Sequence, residues 1–425
     1  MALPDKSAGP FHNFLALFTQ HGATYLLALL IVPYLLHLFG PARYGVLVMA
    51  QTLCGLFVTL ADYGLSFTAT QAMVECREDP ERSGALLVSV LTLKFWLAAA
   101  GFLVYGLLVW RLRLSAPIYL TSYAAVLGSV LFPNWAFQGL ERMAIVARIQ
   151  IAAQLSSVSL LLALVHDDQE LLRVAAIQAL TPVLAGILGL VLLFRIHPLV
   201  VTRPRPPALM ALLRNGFPVV TGSLSAFVFS TGNLFLAGLA GGPVVAGLYG
   251  AAWKFLSPVI GLIGHAQTAS YPRLSRLRAA GDPAAVRGFI RKYAIWTVGG
   301  ASLASLALAG LAPLLVPWVA GASYLATIPA LQVLGMALPV IALNYVLTGA
   351  VLLNRGARWA FGSVLLGTAV IDLALIPLVT REWGAVGTAA GYVGVETFEW
   401  LLIWAVRIPG FDLMTVLFRS RRQPG

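Results

Sequence analysis

The sequence predicts an all-α integral membrane protein. Twelve transmembrane helices are expected in two six-helix bundles related by a pseudo-two-fold axis along the membrane normal, with both termini in the cytoplasm. Three observations carry that expectation. The 425 residues are 59% hydrophobic and only 10% charged, whereas a soluble domain carries about 25% charged residues. The apolar residues fall in continuous runs, without the alternation of a barrel strand. A short motif, G-P-x-x-x-G, occurs at Gly40–Gly45 and again at Gly242–Gly247, 202 residues later.

A crossing consumes about 20 apolar residues. The runs that satisfy this length lie near 14–38, 45–69, 84–109, 117–138, 143–165, 171–194, 211–239, 244–270, 289–311, 325–353, 358–379 and 384–406. The first is too long for the apolar core of a signal peptide and has no small-residue cleavage site, so no cleavable signal is expected. With the N-terminus inside, basic residues favour the cytoplasmic gaps by about four to one, which orients the chain by the positive-inside rule. The net charge of +12 therefore reports topology and does not point to nucleic acid. Cys54 and Cys76 differ in depth and are expected to be reduced thiols.

The segment Val201-Thr-Arg-Pro-Arg-Pro-Pro207 reads as a stiff cytoplasmic linker near the midpoint of the chain. The expected domains are 1–200, a six-helix bundle; 201–210, the linker; and 211–425, a second bundle with a basic cytoplasmic tail. The offset of the repeated motif also lays Asn13 on Asn215, at the foot of spans one and seven. Within the motif, proline starts a helix and glycine permits close packing. Each half has an even number of spans, so the two share one orientation and can rock about a central site.

Several segments together resemble a known family. Leu38-Phe-Gly-Pro-Ala-Arg-Tyr-Gly-Val-Leu47 followed by Asp62-Tyr-Gly-Leu65 resembles the first hairpin of bacterial O-antigen and lipid-linked oligosaccharide flippases. Phe132-Pro-Asn-Trp-Ala-Phe-Gln-Gly-Leu-Glu141 resembles their junction of spans four and five, and Gly247-Leu-Tyr-Gly-Ala-Ala-Trp-Lys254 with Tyr271-Pro-Arg-Leu-Ser-Arg276 their eighth span and its exit. The family belongs to the multidrug/oligosaccharidyl-lipid/polysaccharide exporter superfamily. The resemblance implies an alternating-access transporter of the inner membrane with a cationic central cavity. Its cargo would be an undecaprenyl-diphosphate-linked oligosaccharide, moved from the cytoplasmic to the periplasmic leaflet. One position departs from the family: an acidic residue often precedes the lysine numbered 254, and here that place is Trp253. Any coupling role of that carboxylate must lie elsewhere or be absent.

A charge inside the hydrocarbon costs about 2.5–3.5 kcal/mol on insertion scales, so each such residue is a functional candidate. Lys254 lies ten residues into span eight, about 15 Å deep. It shares a face with Gly247, Gly250, Ser257, Gly261 and His265, which suits a wet cavity or a tight helix contact. Lys94 in span three has apolar neighbours, so snorkelling and pairing compete with a cavity role. Arg148 is read as an interface anchor or a diphosphate ligand at the cytoplasmic mouth. His21 is a cavity candidate whose plain alternative is a satisfied buried histidine. Asn215 joins this set through the repeat. Asp62 and His265, near inner helix ends, favour anchoring or capping. Glu396 and Glu399 share one face of span twelve with Tyr392, at spacings of four and three. With Asp372 of span eleven they are the candidate proton-coupling groups; pairing with Arg407 or Lys254 is the static alternative. Trp110, Tyr119, Trp318, Tyr324 and Trp383 are expected in the interfacial belt.

No nucleotide-binding, redox, zinc or nucleophile motif is present. No catalytic residue, metal or cofactor is expected. A multidrug/proton antiporter on the same fold is the nearest rival, but it would favour an acidic cavity. A membrane glycan polymerase would need a larger outer loop. The expected partners are the lipid-linked glycan, membrane lipids and polysaccharide polymerase or assembly proteins, with the chain itself a monomer.

Overall fold

The computed structural model describes Leu27 and residues 30–204, 206–348 and 358–405. All regular structure among these is helical. Among the described residues, nine stretches are long and apolar enough to cross a membrane. Two of them contain a backbone break, Pro206–Ala279 at Gly242 (φ 85°, ψ 174°) and Gly362–Ile403 at Gly384 (φ 58°, ψ −136°). Both breaks use the positive φ that glycine tolerates. A straight 74-residue helix would be about 110 Å long, so one break at least is needed for it to fit a bilayer of about 30 Å. The chain divides into two compact units: one takes the described residues up to Phe39 and Val46–Phe227, the other Gly40–Gly45 and the residues from Val228 onward. Asn13, His21, Arg205 and the C-terminal tail with Arg407 lie outside the described residues.

The first unit begins with α1 (30–38), α2 (Pro41–Asp62), whose opening residues belong to the second unit, and α3 (Leu65–Cys76). The span expected over 45–69 is thus interrupted at Tyr63 and Gly64, both left-handed (φ 50° and 73°). The interruption packs tightly: a Cβ on Gly64 would lie 2.5 Å from the Val219 Cβ, and one on Gly216 2.5 Å from the Tyr63 carbonyl oxygen. Next come α4 (Pro80–Arg111), α5 (Ala116–Ser122), α6 (Ala124–Leu131) and α7 (Asn134–Gly139). The run expected as one span over 117–138 is three short helices. Pro133 has no N–H to give and forces the preceding Phe132 out of the helical region (φ −78°, ψ 108°). The unit closes with α8 (Met143–Leu164), α9 (Leu171–Ile196) and α10 (Pro206–Phe227). Its core packs Leu65, Ala69 and Met73 of α3 against Trp135, Ala136 and Phe137 of α7.

The residue just before the expected linker is tied to this core. Val200 N–H donates to the Pro80 carbonyl at 2.9 Å, and a Cβ on Gly84 would lie 2.0 Å from the Val200 oxygen. Between α8 and α9 the Glu170 carboxylate accepts from the backbone N–H of His166 at 2.9 Å and pairs with Arg173. The His166 hydrogen bond holds its carboxyl below the usual range. Burial, with Arg142 nearby, lowers the His197 imidazole.

The second unit contains α11 (Asn233–Ala279), α12 (Pro283–Ala320), α13 (Thr327–Gly335), α14 (Ala337–Tyr345) and α15 (Arg358–Ala405). A short π-helix, Val228–Gly232, leads into α11. After Gly384 the chain folds back on itself. A Cβ on Gly387 would lie 2.0 Å from the Val379 oxygen, and the Thr380 and Thr388 hydroxyls are 2.8 Å apart. The two G-P-x-x-x-G copies interlock: a Cβ on Gly45 would lie 1.7 Å from the Pro243 oxygen, and one on Gly247 1.9 Å from the Pro41 oxygen. Each motif thus supplies the carbonyl that the other's glycine admits.

A second repeated device is a helix cap. Asp79 before Pro80 accepts from the N–H groups of Glu81 and Arg82, both at 3.0 Å. Asp282 before Pro283 accepts from Ala284 and Ala285 at 2.9 and 3.0 Å. An aspartate N-cap followed by proline satisfies orphan donors in a first turn that needs no proline N–H. The belt residues need one correction. Trp110, Trp318 and Trp383 are exposed, but Tyr119 and Tyr324 are buried. Tyr119 gives its carbonyl to the Tyr105 hydroxyl at 2.9 Å, and Tyr324 packs edge-on against Tyr44. Cys54 and Cys76 are free thiols.

Candidate functional sites

Among the described residues, each unit holds a cluster of buried or half-buried charged side chains within its helices. In the first, Lys94 reaches across from α4 to Asp62 at the end of α2. The Nζ–Oδ1 distance is 2.7 Å, with 4% of the lysine side chain and 30% of the aspartate exposed. Ser66 donates its hydroxyl to the same Asp62 oxygen. Lys94 is therefore paired, one of its two alternatives, and Asp62, expected to anchor or cap, is its counter-ion and also accepts from the Ser66 backbone N–H at 3.4 Å in the first turn of α3. The pair lines a cavity of about 380 Å³ together with Thr59, Ser66, Ser129, Asn134 and Ser223.

Two of the family-like segments meet at this cavity. The Asp62-Tyr-Gly-Leu65 turn redirects the chain into α3, and α7 of the Phe132–Glu141 segment packs on α3. A Cβ on Gly139 would lie 2.6 Å from the Met73 Cβ, and the Thr70 hydroxyl donates to the Trp135 carbonyl at 3.2 Å. Asn134 thereby comes to the cavity wall, with its Oδ1 buried and lacking a hydrogen bond. Sequence reasoning did not single out Asn134. The signal was the Pro-Asn pair opening a short helix inside an apolar run.

In the second unit the three candidate carboxylates, the Glu396–Glu399 pair and Asp372, are all buried. Glu396 and Glu399 are each 4% exposed and Asp372 is fully buried. From α14, Asn344 donates through Nδ2 to Glu396 Oε2 at 3.0 Å and its backbone oxygen at 2.9 Å, and lies 3.4 Å from Glu399 Oε2. The Tyr392 hydroxyl hydrogen-bonds Glu396. Trp253 stacks on Tyr249 and meets Tyr392 edge-on at 5.3 Å. The residue that departs from the family pattern thus supports the aromatic side of the carboxylate cluster. Asp372 neighbours Asn233, whose Nδ2 is already given to the Phe229 carbonyl at 3.0 Å. Asn233 Oδ1 and both Asp372 oxygens are left without hydrogen bonds. No cation pairs with these carboxylates among the described residues.

Lys254 is exposed on α11, and it forms no ion pair among the described residues. Its small-residue face serves two purposes along its length. Gly247 makes the tight contact with Pro41, and the face opens toward Lys254 one to two turns later. Arg148 and Asn215 are exposed on α8 and α10 and do not line the cavity with Lys94. His21 lies outside the described residues.

The family model described as Polysaccharide biosynthesis protein matches residues 11–278, well over half of the chain. The chain belongs to that family. A relative from Escherichia coli (strain K12), named "Putative O-antigen transporter", is 24% identical over 90% of this chain and 93% of its own length. Among solved structures, the chain resembles the lipid II flippase MurJ in an inward closed conformation, with a TM-score of 0.70 at 13% identity, covering 92% of this chain and 86% of that one. It also resembles an inward-facing multidrug resistance MATE transporter of the MOP superfamily, with a TM-score of 0.66 at 15% identity over 90% and 97%. The chain is thus a multi-pass membrane protein of the polysaccharide biosynthesis family that shares its fold with these structures.

Proposed function

We propose that this transporter moves an undecaprenyl-diphosphate-linked oligosaccharide from the cytoplasmic to the periplasmic leaflet by alternating access. What carries the reading is family membership joined to the near full-length match with a relative named as an O-antigen transporter. Twelve crossings are assigned, in halves 1–200 and 211–425 joined at 201–210, with both termini cytoplasmic. The repeated G-P-x-x-x-G and Asp-Pro caps support duplication. Lys254, a compact charge with three donors, is the residue assigned to the carrier diphosphate, with Arg148, Asn215 and His21 as subsidiary polar contacts.

Glu396, Glu399 and Asp372 are assigned to proton coupling. Buried charges of one sign without a counter-ion are strongly unfavourable. A proton on Asp372 would supply the donor that its own oxygens and Asn233 Oδ1 lack. A strain deleted for this gene tests the cargo: it should accumulate lipid-linked glycan and lose surface glycan until the chain is restored. Unchanged glycan levels in the deletion strain would refute the assignment.

A further inference from the structure

We infer that the cavity of the first unit is a subsite for the uncharged sugar portion of the cargo, and that the diphosphate is bound elsewhere. The inference rests on the proposed transport of a lipid-linked glycan and adds which chemistry this unit reads. Four observations carry it.

The first is charge. Lys94 is the one cation lining the cavity among the described residues, and Asp62 neutralises it at 2.7 Å. A diphosphate entering here would meet a carboxylate beside the lysine and would have to break a largely buried pair to use it. The second is the rest of the lining: beside the apolar Val58 and Phe132, which can pack on the face of a sugar ring, it offers the hydroxyls and amide of Thr59, Ser66, Ser129, Asn134 and Ser223. Such groups both donate and accept, as sugar hydroxyls do.

The third is unspent hydrogen-bonding capacity. Asn134 Oδ1 is buried and unpartnered, and Lys94 Nζ carries three donors of which one reaches Asp62. A hydroxyl placed between them would satisfy both kinds of group. The fourth is extent. The cavity of about 380 Å³ falls within the ~300–1,000 Å³ range of small-ligand sites. A second cavity of about 290 Å³ shares Val58 with it and continues along α2 to the hydrogen-bonded amides of Gln51 and Gln178. The lining thus follows one face of α2 through Gln51, Gly55, Val58, Thr59 and Asp62, polar at both ends and small or apolar between, a helical spacing long enough for more than one sugar ring.

The two parts of the cargo can be tested apart. The full chain in lipid nanodiscs would be titrated with undecaprenyl diphosphate, which has no sugar, and with the lipid-linked glycan extracted from a flippase-deleted host. Asn134→Ala, Thr59→Val and Ser129→Ala remove one hydrogen-bonding group each from the wall. Each is expected to weaken binding of the lipid-linked glycan by about three- to tenfold, the worth of one hydrogen bond. Binding of undecaprenyl diphosphate should change by less than about twofold, since each variant's lost bond goes to sugar. The Asn134→Asp variant, which keeps an acceptor at that place, should retain more glycan affinity than Asn134→Ala.

Equal weakening of both ligands, or no weakening of either, overturns the inference while leaving the transport reading intact. A wild-type protein that binds neither ligand overturns the transport reading, and the subsite with it.

Discussion

Removing either member of the Asp62–Lys94 pair should have unequal effects, because the charge left behind differs in burial. Asp62→Ala strands a lysine whose side chain is 4% exposed. Loss of a partner from a buried pair costs about 3–5 kcal/mol, and the lower end, about 3 kcal/mol, applies where one partner reaches water. Lys94→Met strands a carboxylate that is 30% exposed and still accepts from Ser66. Its cost should be about 1–2 kcal/mol, since water and a hydroxyl remain to solvate it. The double variant strands nothing and should fall short of the summed single effects by about 2–3 kcal/mol. Equilibrium unfolding of the purified chain in mixed micelles would read all four corners of the cycle. Additive effects, or a larger loss in Lys94→Met than in Asp62→Ala, would refute the buried pair and with it the neutral character of the cavity.

Three further outcomes are expected. Gly45→Ala and Gly247→Ala should each destabilise the chain by about 1–3 kcal/mol, the range for forcing extra volume into packed structure, because the new methyl meets a carbonyl oxygen at 1.7 or 1.9 Å. Gly310→Ala, with nothing within 4 Å, should be neutral or gain up to ~1 kcal/mol in the same unfolding assay. Lys254→Ala should abolish surface glycan in a complemented deletion strain at normal protein level, with Lys254→Arg retaining much of it. The Glu170 carboxyl has a folded value below its ordinary 4.5, so its contribution to stability is present above that pH and lost as pH falls through the folded value. Glu170→Gln should flatten that part of the acid-unfolding profile.

The helical membrane class and most span positions were legible because hydrocarbon thickness writes itself into run length. Breaks inside runs were not. The stop at Tyr63-Gly64 depends on the close approach of Val219, far along the chain, and hydropathy averages over it. Pro133 was visible as a residue but was read as part of a continuous span. The carboxylates were found because charge inside apolar runs is conspicuous. Asn344, which donates to Glu396, and Asn233, which neighbours Asp372, were missed, since an uncharged amide barely lowers a hydropathy window. Asp62 was underrated for another reason: its role comes from Lys94, 32 residues away, and pairing across helices has no local sequence signature. The Asp-Pro caps at 79–80 and 282–283 were available in the sequence, but they lie one residue off the 202-residue offset.

The most direct measurement of the central claim uses the purified chain in liposomes loaded with lipid-linked glycan, followed by the access of an impermeant glycosidase to the far leaflet. The expected result is glycan movement that depends on the protein, accelerates under an imposed proton gradient, and loses only that acceleration in the Glu396→Gln, Glu399→Gln double variant. Glycan that stays in its original leaflet at the protein-free rate, with or without the gradient, would contradict the account.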